Sequence, residues 1–316
     1  MTRPGAHILI LTPLYKDEAA FGAFAAVLEK ITAGMQQSFS LLVVNDGTPG
    51  QLQLDTKLAL TVLHLHINHG HQKAIAIGMA WAARHLEFDA MIVMDCDGED
   101  DPAFLPELIE DFSKHRQAVV ARRGKRSERR PFRFFYMVYR LLFRILTGKK
   151  ISFGNFMLLP AADVKRLVHH SEIWNHLGGA LIKSAIPYRE ILANRARRLS
   201  GKSGMNFNAL LLHGLAAISV FIERIASRLL VFSLVMIGIS VLAIVVVSYI
   251  RVFTNQAIPG WATTAFSSML IVLLQSFLLS LFTIFLFLSA QGQRKIIPAI
   301  HFEDYIRSVD TQNHSG

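Results

Sequence analysis

The chain has 316 residues, 52% of them hydrophobic, and carries a formal net charge of +10 at pH 7. Its length and positive mean hydropathy exclude a single small domain that is wholly water-soluble. One cysteine, Cys96, excludes an intramolecular disulfide and is typical of a protein in a reducing compartment.

The first half of the chain alternates short apolar runs with helical patterns. The apolar runs predict strands at 7–11, 40–44, 60–65, 90–94 and 118–121. The periodic segments predict helices at about 19–35, 72–86, 102–114 and 131–147. Because short strands that alternate with helices form βαβ units, the pattern predicts an α/β domain with a mostly parallel sheet.

A polar turn follows the second predicted strand. Asn45, Asp46 and Gly47 come directly after the apolar run 40–44. The Asp46 carboxylate is therefore expected at the carboxyl edge of the sheet, where ligands bind in open α/β folds. It can accept hydrogen bonds from a base N–H or a ribose hydroxyl. An ordinary Asp-Gly turn is the alternative interpretation.

Four histidines follow at positions 64, 66, 69 and 71. Imidazoles at such spacing can bind zinc, but no cysteine accompanies these four. Asn68, His69 and Gly70 are typical of a turn into the next helix. The pattern therefore favours a turn over a zinc site.

An acidic loop follows the fourth predicted strand and holds five carboxylates in the seven positions 95–101. Alternate residues Asp95, Asp97 and Glu99 can present hard oxygen ligands to Mg²⁺ or Mn²⁺, which keeps part of its coordination for water and phosphates. A solvated acidic turn ahead of the helix at Pro102 is the alternative, since Asp is favoured at helix starts. The position of the loop after a strand favours the metal site.

A basic band covers residues 114–150, which contain 13 of the 33 Lys and Arg residues and one acid, Glu128. Nucleic acid, an anionic membrane surface and a solvated face are all compatible with such a band. Arg133, Arg140 and Arg144 fall on one stripe of the helix predicted at 131–147, and apolar side chains cover the rest. This arrangement is typical of a helix in the lipid headgroup plane. It favours membrane lipids over nucleic acid as the partner.

Two runs, 229–250 and 262–290, contain no charged residue. Each is long enough to cross a hydrocarbon layer of roughly 30 Å, although a pair of buried core helices is the alternative. The link between them is short and holds one cation, Arg251, whereas further cations flank the two runs. By the positive-inside rule, the flanking segments lie in the cytoplasm. The sequence thus predicts a multi-pass integral membrane protein with a cytoplasmic domain at 1–225, a transmembrane hairpin at 226–291 and a cytoplasmic tail at 292–316.

Four motifs together carry a family resemblance. They are P-x-Y-x-x-E at 13–18, V-N-D-G-T at 44–48, N-x-G-H-Q at 68–72 and M-D-C-D-G-E-D at 94–100. With these motifs the chain, from about residue 8 to 220, resembles the family 2 inverting glycosyltransferases of GT-A fold. More narrowly, it is similar to the polyprenyl-phosphate glycosyltransferases, which are related to dolichyl-phosphate mannose synthase and to bacterial enzymes that charge undecaprenyl phosphate. The hairpin fits the bacterial branch, at the inner membrane.

The resemblance implies transfer of a sugar from a UDP- or GDP-linked nucleotide-sugar to a polyprenyl phosphate, and it suggests a homo-oligomer. It implies that Asp46 holds the nucleoside and that Asp95, Asp97 and Glu99 surround Mg²⁺ or Mn²⁺ on the donor diphosphate. The catalytic candidates are Asp95, Asp97 and Asp100. The further donor-binding candidates are Pro13, Tyr15, Glu18, Gly70, Gln72 and Lys73. The acceptor-phosphate candidates are Arg122, Arg123, Lys202 and Ser203.

Some positions depart from the family pattern. Glu99 stands where Gln is usual, Asn155 and Met157 stand in a motif that is usually Asp-Phe-Arg, and Gly204 stands where Lys is usual. Two alternatives therefore remain beside lipid glycosylation. One is a family 2 enzyme with a non-lipid or polysaccharide acceptor, and the other is a catalytically inactive membrane scaffold.

Overall fold

The computed structural model describes residues 5–49, 54–123, 130–193, 198, 207–254, 260–292 and 295–312. The chain divides into two compact units. Unit 1 comprises Met1–Arg140, Lys150–Val220 and Lys295–Gly316. Unit 2 comprises Leu141–Lys149 and Phe221–Arg294.

Within the described residues, unit 1 is built around an eight-stranded mixed sheet. The strands are β1 His7–Leu14, β2 Ser38–Asn45, β3 Ala59–Leu65, β4 Ala90–Val93, β5 Ala118–Arg123, β6 Phe153–Pro160, β7 Tyr188–Ala193 and β8 Ile306–Gln312. Their spatial order is β7-β5-β6-β4-β1-β2-β3-β8. The strands β6 and β8 are antiparallel to their neighbours, and all other pairings are parallel.

The helices of both units follow in chain order. They are α1 Glu18–Thr32, α2 His71–His85, α3 Leu105–His115, α4 Arg130–Thr147, α5 Ala161–Leu167, α6 Leu177–Lys183, α7 Phe207–Ser219, α8 Ile222–Phe253, α9 Trp261–Gly292 and α10 Pro298–His301. Short 3₁₀ turns lie at Pro102–Phe104, Ser171–Trp174 and Phe302–Tyr305. The five predicted strands and four predicted helices are confirmed, with ends that differ by a few residues.

The central strands β1 and β4 are almost entirely apolar and buried, and this pattern predicts them from the sequence. All four residues of β4 are buried, and so are seven of the eight in β1. Strands that are covered on both faces need apolar side chains at every position rather than at alternate ones. Most polar side chains therefore lie near the points where these strands end, although Thr12 is buried within β1.

One edge of the sheet collects those ends. The carboxyl ends of the six parallel strands lie at this edge, and the amino ends of the antiparallel strands β6 and β8 lie there too. We call it the carboxyl edge. It brings the turn after β2, the turn before α2, the acidic loop after β4 and the starts of β6 and β8 to one side of unit 1.

The segment 298–312, which follows α9 in the chain, is part of unit 1 and supplies β8. The Phe302 side chain is fully buried, with its ring 5.9 Å from that of His85 and 5.8 Å from the guanidinium of Arg84. Glu303 forms an ion pair with Arg84 at 3.1 Å. Strand β8 is not predicted from the sequence, because it is exposed at nearly every position and has no apolar run.

Unit 2 contains the two 32-residue helices α8 and α9, which pack against each other. Large apolar side chains such as Phe232, Leu242 and Phe285 are exposed on them. Small polar side chains are buried instead, namely Ser233, Ser240, Ser276, Ser280 and Thr283. By length and composition, both helices are able to cross a membrane.

The last turn of α4 also belongs to unit 2 and is capped by arginines from the start of α8. Arg228 donates to the carbonyl oxygen of Ile145, and Arg224 donates to that of Thr147 at 3.5 Å. The final carbonyls of a helix lack partners inside the helix and carry partial negative charge. The two arginines therefore join the end of α4 to α8.

Phe302→Ala should lower the free energy of unfolding of the full chain by about 3–5 kcal/mol, because it leaves a cavity where a buried ring was. Ile300→Ala is the matched control. Its side chain is 62% exposed in the same segment, so the change should stay within about 0.5 kcal/mol. Chemical denaturation measures both values. Equal effects of the two substitutions would contradict the packing of this segment.

Candidate active site

The acidic loop after β4 is folded by its own carboxylates. The Asp95 N–H donates to Asp100 Oδ2 at 3.1 Å, and the Glu99 N–H donates to Asp97 Oδ1 at 2.8 Å. Gly98 turns the backbone between them with a φ of +82°, which favours glycine. Asp100 is buried, and its carboxylate accepts the Asp95 N–H. Its predicted catalytic role stays a prediction.

Negative charge is concentrated around Asp97. Burial raises the pKa of the Asp97 carboxyl, and the carboxylates of Asp95 and Glu99 raise it further. One guanidinium nitrogen of Arg198 lies 3.6 Å from Asp97 Oδ2, and another donates to Asp17 Oδ2 at 2.8 Å. Arg198 thus partly offsets the charge that the loop carboxylates accumulate.

A chain of side-chain amides reaches the loop from the other side. The Leu177 N–H donates to Gln72 Oε1 at 2.9 Å, so the Gln72 amide N–H is directed to Asn155 Oδ1 at 3.1 Å. The Asn155 amide N–H then faces His71 Nε2 at 2.9 Å. The same nitrogen of His71 lies 3.2 Å from Asp95 Oδ1. The network joins α2, β6 and α6 to the acidic loop.

The protonation of His71 is subject to opposing influences. Burial lowers the pKa of this imidazole, but the Asp95 carboxylate, with smaller contributions from Asp100 and Asp97, raises it above the ordinary value. The Asn155 amide N–H acts against this increase, because it needs an unprotonated Nε2 as its acceptor. His71 therefore lies where a change of charge in the acidic loop alters its protonation directly.

Cys96 lies between the two central carboxylates but is not a ligand candidate. Its thiol is buried and donates to the carbonyl oxygen of Pro13 at 3.5 Å. Burial raises the pKa of this thiol to about 12, so it stays protonated at neutral pH. Pro13, predicted near the donor, contacts the acidic loop through this carbonyl.

Asp46 holds the turn that precedes α2. Its carboxylate accepts hydrogen bonds from the N–H groups of His69 at 2.7 Å and Gly70 at 2.9 Å, and the residue is 3% exposed. The neighbouring Gly47 has a φ of +73°, and a Cβ there would lie 2.4 Å from the backbone nitrogen of Asn68. The turn after β2 and the turn before α2 are therefore packed backbone to backbone. A role of Asp46 in nucleoside binding stays a prediction.

The other predicted donor residues lie around these turns. Tyr15 is 43% exposed after β1, with Lys16 Nζ 5.0 Å from its ring centroid. Glu18 is the first residue of α1, and Lys73 is exposed in the first turn of α2. Gly70 precedes α2 with a φ of +90°. Their contacts with a donor stay predictions.

The predicted acceptor-phosphate residues are less completely described. Arg122 lies near the end of β5, half exposed, with a guanidinium nitrogen 3.7 Å from Glu190 Oε2. Arg123 ends β5, and its backbone pairs with that of Ala193. Lys202, Ser203 and the departure Gly204 lie outside the described residues.

Two further charged residues belong to this site although the motif analysis did not select them. Arg198 and Asp17 form the ion pair that flanks Asp97. Arg198 lies in a sequence rich in arginine between β7 and Gly201, which is the pattern that could have drawn attention to it. Asp17 lies inside the motif at 13–18, at a position where that motif leaves the residue type open.

Asp95 and Asp97 fit a divalent cation whose remaining ligands are water and phosphate oxygens. Among the described residues, no group of three or more His, Cys, Asp and Glu side chains is arranged to hold a metal ion alone. Asp95 and Asp97 offer hard carboxylate oxygens, and the raised pKa of Asp97 is what a nearby cation would relieve. Mg²⁺ is typically bound by one or two carboxylates together with water and substrate phosphates. Glu99 as a third ligand stays a prediction.

The family model for "Glycosyl transferase family 2" matches residues 10–160, which include β1–β6, the Asp46 turn and the acidic loop. Residues 10–160 therefore form a glycosyltransferase family 2 domain, and the sheet of unit 1 is of the GT-A type. The family resemblance noted in the sequence is confirmed at this level.

The chain is similar to several individual glycosyltransferases. The chain is 25% identical over 270 residues to the glycosyltransferase YkcC of Bacillus subtilis (strain 168), covering 80% of each chain. It is 23% identical over 240 residues to the bactoprenol glucosyl transferase of Shigella phage SfV, covering 69% of this chain and 74% of that protein. Among solved structures it is similar in fold to glucosyl-3-phosphoglycerate synthase from Mycobacterium tuberculosis, in complex with Mn²⁺, UDP-glucose and phosphoglyceric acid. That match has a TM-score of 0.50 and 13% identity, and it covers 70% of this chain and 80% of the other.

Asp97→Asn should abolish sugar transfer and leave the melting temperature of the ligand-free protein unchanged or higher. The substitution removes one of several crowded carboxylates, whose ionised form is disfavoured by burial. Because the folded-state pKa is raised, this carboxylate destabilises the fold at neutral pH and ceases to do so as the pH falls through that pKa.

Asp101→Asn is the matched control in the same loop. Asp101 accepts a hydrogen bond from the Ala103 N–H at 2.9 Å, and Asn caps a helix start equally well. This variant should keep both activity and melting temperature. Full transfer by Asp97→Asn, measured with the same donor and acceptor, would contradict the role of Asp97.

Proposed function

We propose that the protein transfers a sugar from a UDP- or GDP-linked nucleotide-sugar to a polyprenyl phosphate at a membrane. The product is a polyprenyl-phosphate-sugar. The observation that carries the proposal is the combination, in one chain, of a family 2 domain with a carboxylate-rich carboxyl edge and two long apolar helices. The similarity to a bactoprenol glucosyl transferase supports a lipid phosphate as acceptor.

The donor site is proposed at the carboxyl edge. The Asn45–Gly47 turn and the His69–Gly70 turn are packed together through Asp46, so they form a rigid surface at the end of β2 and β3. A carboxylate has about four acceptor positions, so Asp46 can bind a base N–H in addition to its two backbone partners. The nucleoside would lie against this surface and the diphosphate would extend toward the acidic loop.

Asp95 and Asp97 would hold Mg²⁺ or Mn²⁺ together with the donor phosphates. The ion, when bound, stabilises the negative charge of the departing nucleoside diphosphate. Arg198, beside Asp97, contributes a second positive charge at the same place. The amide network through Gln72 and Asn155 positions the His71 imidazole beside Asp95.

The proposed reaction is a single displacement. An oxygen of the acceptor phosphate forms a bond to the anomeric carbon while the bond from that carbon to the diphosphate oxygen breaks. The nucleoside diphosphate leaves with the electron pair, and the anomeric configuration is inverted. Because the acceptor phosphate is already anionic near pH 7, the reaction does not require a strong general base.

Three features support a membrane location for unit 2. Its exposed side chains are large and apolar whereas its buried ones include small serines and a threonine, the reverse of a soluble helix pair. Small residues between helices are typical of packing inside a bilayer. The segments before α8 and after α9 both belong to unit 1, so crossing by both helices leaves them on one side.

The C-terminal half of α4 supports a surface position for that helix. Leu141, Leu142 and Ile145 are exposed apolar residues, and Arg140 and Arg144 are exposed beside them. Apolar side chains flanked by arginines suit the boundary between headgroups and acyl chains. A lipid phosphate is found at that depth, which explains the use of such a helix by an enzyme with this acceptor.

Mass spectrometry of the lipid fraction tests the proposed function. The purified full-length protein in vesicles, given Mg²⁺ or Mn²⁺ and a panel of UDP- and GDP-sugars, should add one sugar to undecaprenyl phosphate. A chelator should abolish the product. If a nucleotide-sugar is consumed only when a non-lipid acceptor is supplied, the lipid acceptor is wrong. If none is consumed under any condition, the inactive scaffold is favoured instead.

The combined substitutions Arg140→Glu and Arg144→Glu should reduce transfer to undecaprenyl phosphate in anionic vesicles by tenfold or more. They should leave the protein in the membrane fraction, because each juxtamembrane cation contributes only about 1 kcal/mol at an anionic surface. Transfer to a short, water-soluble polyprenyl phosphate should change much less.

The matched control is Lys57→Glu with Lys165→Glu, which changes the net charge equally at exposed sites of unit 1. This pair should keep both activities. Equal loss of both activities in the arginine variant would mean that α4 serves the fold of the catalytic unit rather than the membrane surface.

A further inference from the structure

The segment 298–312 is attached to strand β3 and to the carboxyl edge of the sheet by several independent contacts. Strand β8 pairs with β3 over almost its whole length, from Ile306 to Gln312. The His66 N–H donates to the carbonyl oxygen of Tyr305 at 3.1 Å, just beyond the end of β3. Because β8 is antiparallel, its first residues lie at the carboxyl edge, beside the turns that carry Asp46.

A directed chain of hydrogen bonds runs from the turn after β2 to β8. The Thr48 N–H donates to Asn45 Oδ1 at 2.9 Å, which directs the Asn45 amide N–H to His64 Nδ1 at 3.0 Å. With Nδ1 as acceptor, the neutral His64 carries its proton on Nε2 and donates it to Asp310 Oδ2 at 2.9 Å. Asp310 therefore fixes the tautomer and orientation of His64, and through it Asn45.

Tyr305 supports the second turn. Its ring lies edge-on to the His69 ring, with centroids 4.9 Å apart, and also contacts Trp174, with centroids 5.3 Å apart. Trp174 is held in turn by a hydrogen bond from its Nε1 to the carbonyl oxygen of Ile296 at 2.8 Å. The His69 N–H is one of the two donors to Asp46, so Tyr305 packs directly on the residue that orients that carboxylate.

We propose that the segment 298–312 is a positioning part of the nucleotide-binding site, acting through Tyr305 on the turn before α2 and through Asp310 on the turn after β2. This inference deepens the proposed function and rests on it. Neither residue needs to touch the donor. The segment lies behind both apolar helices in the sequence, so the donor site is complete only in a chain that has folded through α9 and returned to unit 1.

The arrangement predicts how the site responds to loss of each contact. Removal of the Tyr305 ring frees His69 and allows the Asp46 carboxylate to rotate, so the loss appears in donor affinity and in KM for the donor. The acceptor does not bind through these turns, so KM for the acceptor and kcat at saturating donor should change little. A merely structural role would lower the amount of active protein without altering KM.

The test compares Tyr305→Ala with Tyr305→Phe in the full-length protein. Tyr305→Ala should weaken the binding of the preferred nucleoside diphosphate, UDP or GDP, about tenfold in calorimetry, and should raise KM for the donor similarly. Tyr305→Phe keeps the ring and should bind as wild type does. Asp310→Ala should weaken binding about threefold, whereas Asp310→Asn keeps an acceptor for His64 and should not.

Hydrogen exchange gives a readout that does not depend on activity. The amides of His69 and Gly70 should exchange faster in Tyr305→Ala, and those of the buried strand β4 should not. Glu303→Gln is the control, because it loosens the same segment at Arg84, which lies in the last turn of α2 and so at the opposite end of that helix from the turn. It should leave nucleotide affinity and the exchange of both turn amides unchanged.

The possible results distinguish a failure of the positioning role from a failure of the proposed function. Unchanged affinity and unchanged exchange of the His69 and Gly70 amides in Tyr305→Ala would overturn the positioning role, even if the enzyme proves active. If wild type binds neither UDP nor GDP, the proposed function fails, and the exchange data alone still decide whether the segment holds the turn. If Tyr305→Ala does not fold, the Asp310→Ala and Asp310→Asn pair decides, and equal affinities of that pair would overturn the role.

Discussion

The parallel alignment of six strands is the constraint on which the site depends. Strands buried on both faces accept few polar side chains along their length, so most of the polar side chains lie near their ends. Parallel pairing then brings all those ends to one edge. Asp46 and Asp97, which follow β2 and β4, thus lie on the same side of unit 1 although these two strands do not pair with each other. The antiparallel strands β6 and β8 add their first residues to the same edge.

The acidic loop holds more carboxylates than are needed to cap the turn that begins at Pro102. A loop that served only to cap the turn at Pro102 would need Asp101 alone, which already accepts the Ala103 N–H. Asp97 is instead held next to other carboxylates and partly removed from water, at a cost to stability. Arg198 and His71 approach from two sides but do not remove the excess of acid. This excess of acid fits the proposed binding of a divalent cation and a diphosphate.

The sequence was informative where local chemistry determines structure. The apolar run of β4 and the carboxylates behind it could be interpreted without tertiary information, and so could the uncharged lengths of α8 and α9. Strand β8 could not, because it is exposed and gains its stability from backbone pairing with β3, which leaves no apolar pattern. The contacts of Arg198 with Asp97 and of Tyr305 with His69 could not be predicted either, since each joins residues about a hundred or more positions apart. The spacing of the histidines at 64 and 69 is compatible with a zinc site, but in the structure His64 contacts Asp310 and His69 contacts Tyr305.

A structure of the protein with Mg²⁺ and the nucleoside diphosphate that it binds would test the proposed donor site most directly. We expect the base to lie against the Asn45–Gly47 and His69–Gly70 turns, within about 2.7–3.2 Å of a hydrogen-bonding partner there. We also expect the ion to lie about 2.0–2.1 Å from a carboxylate oxygen of Asp95 or Asp97 and to contact the diphosphate. A nucleotide bound away from the carboxyl edge, or an ion held without either aspartate, would contradict it.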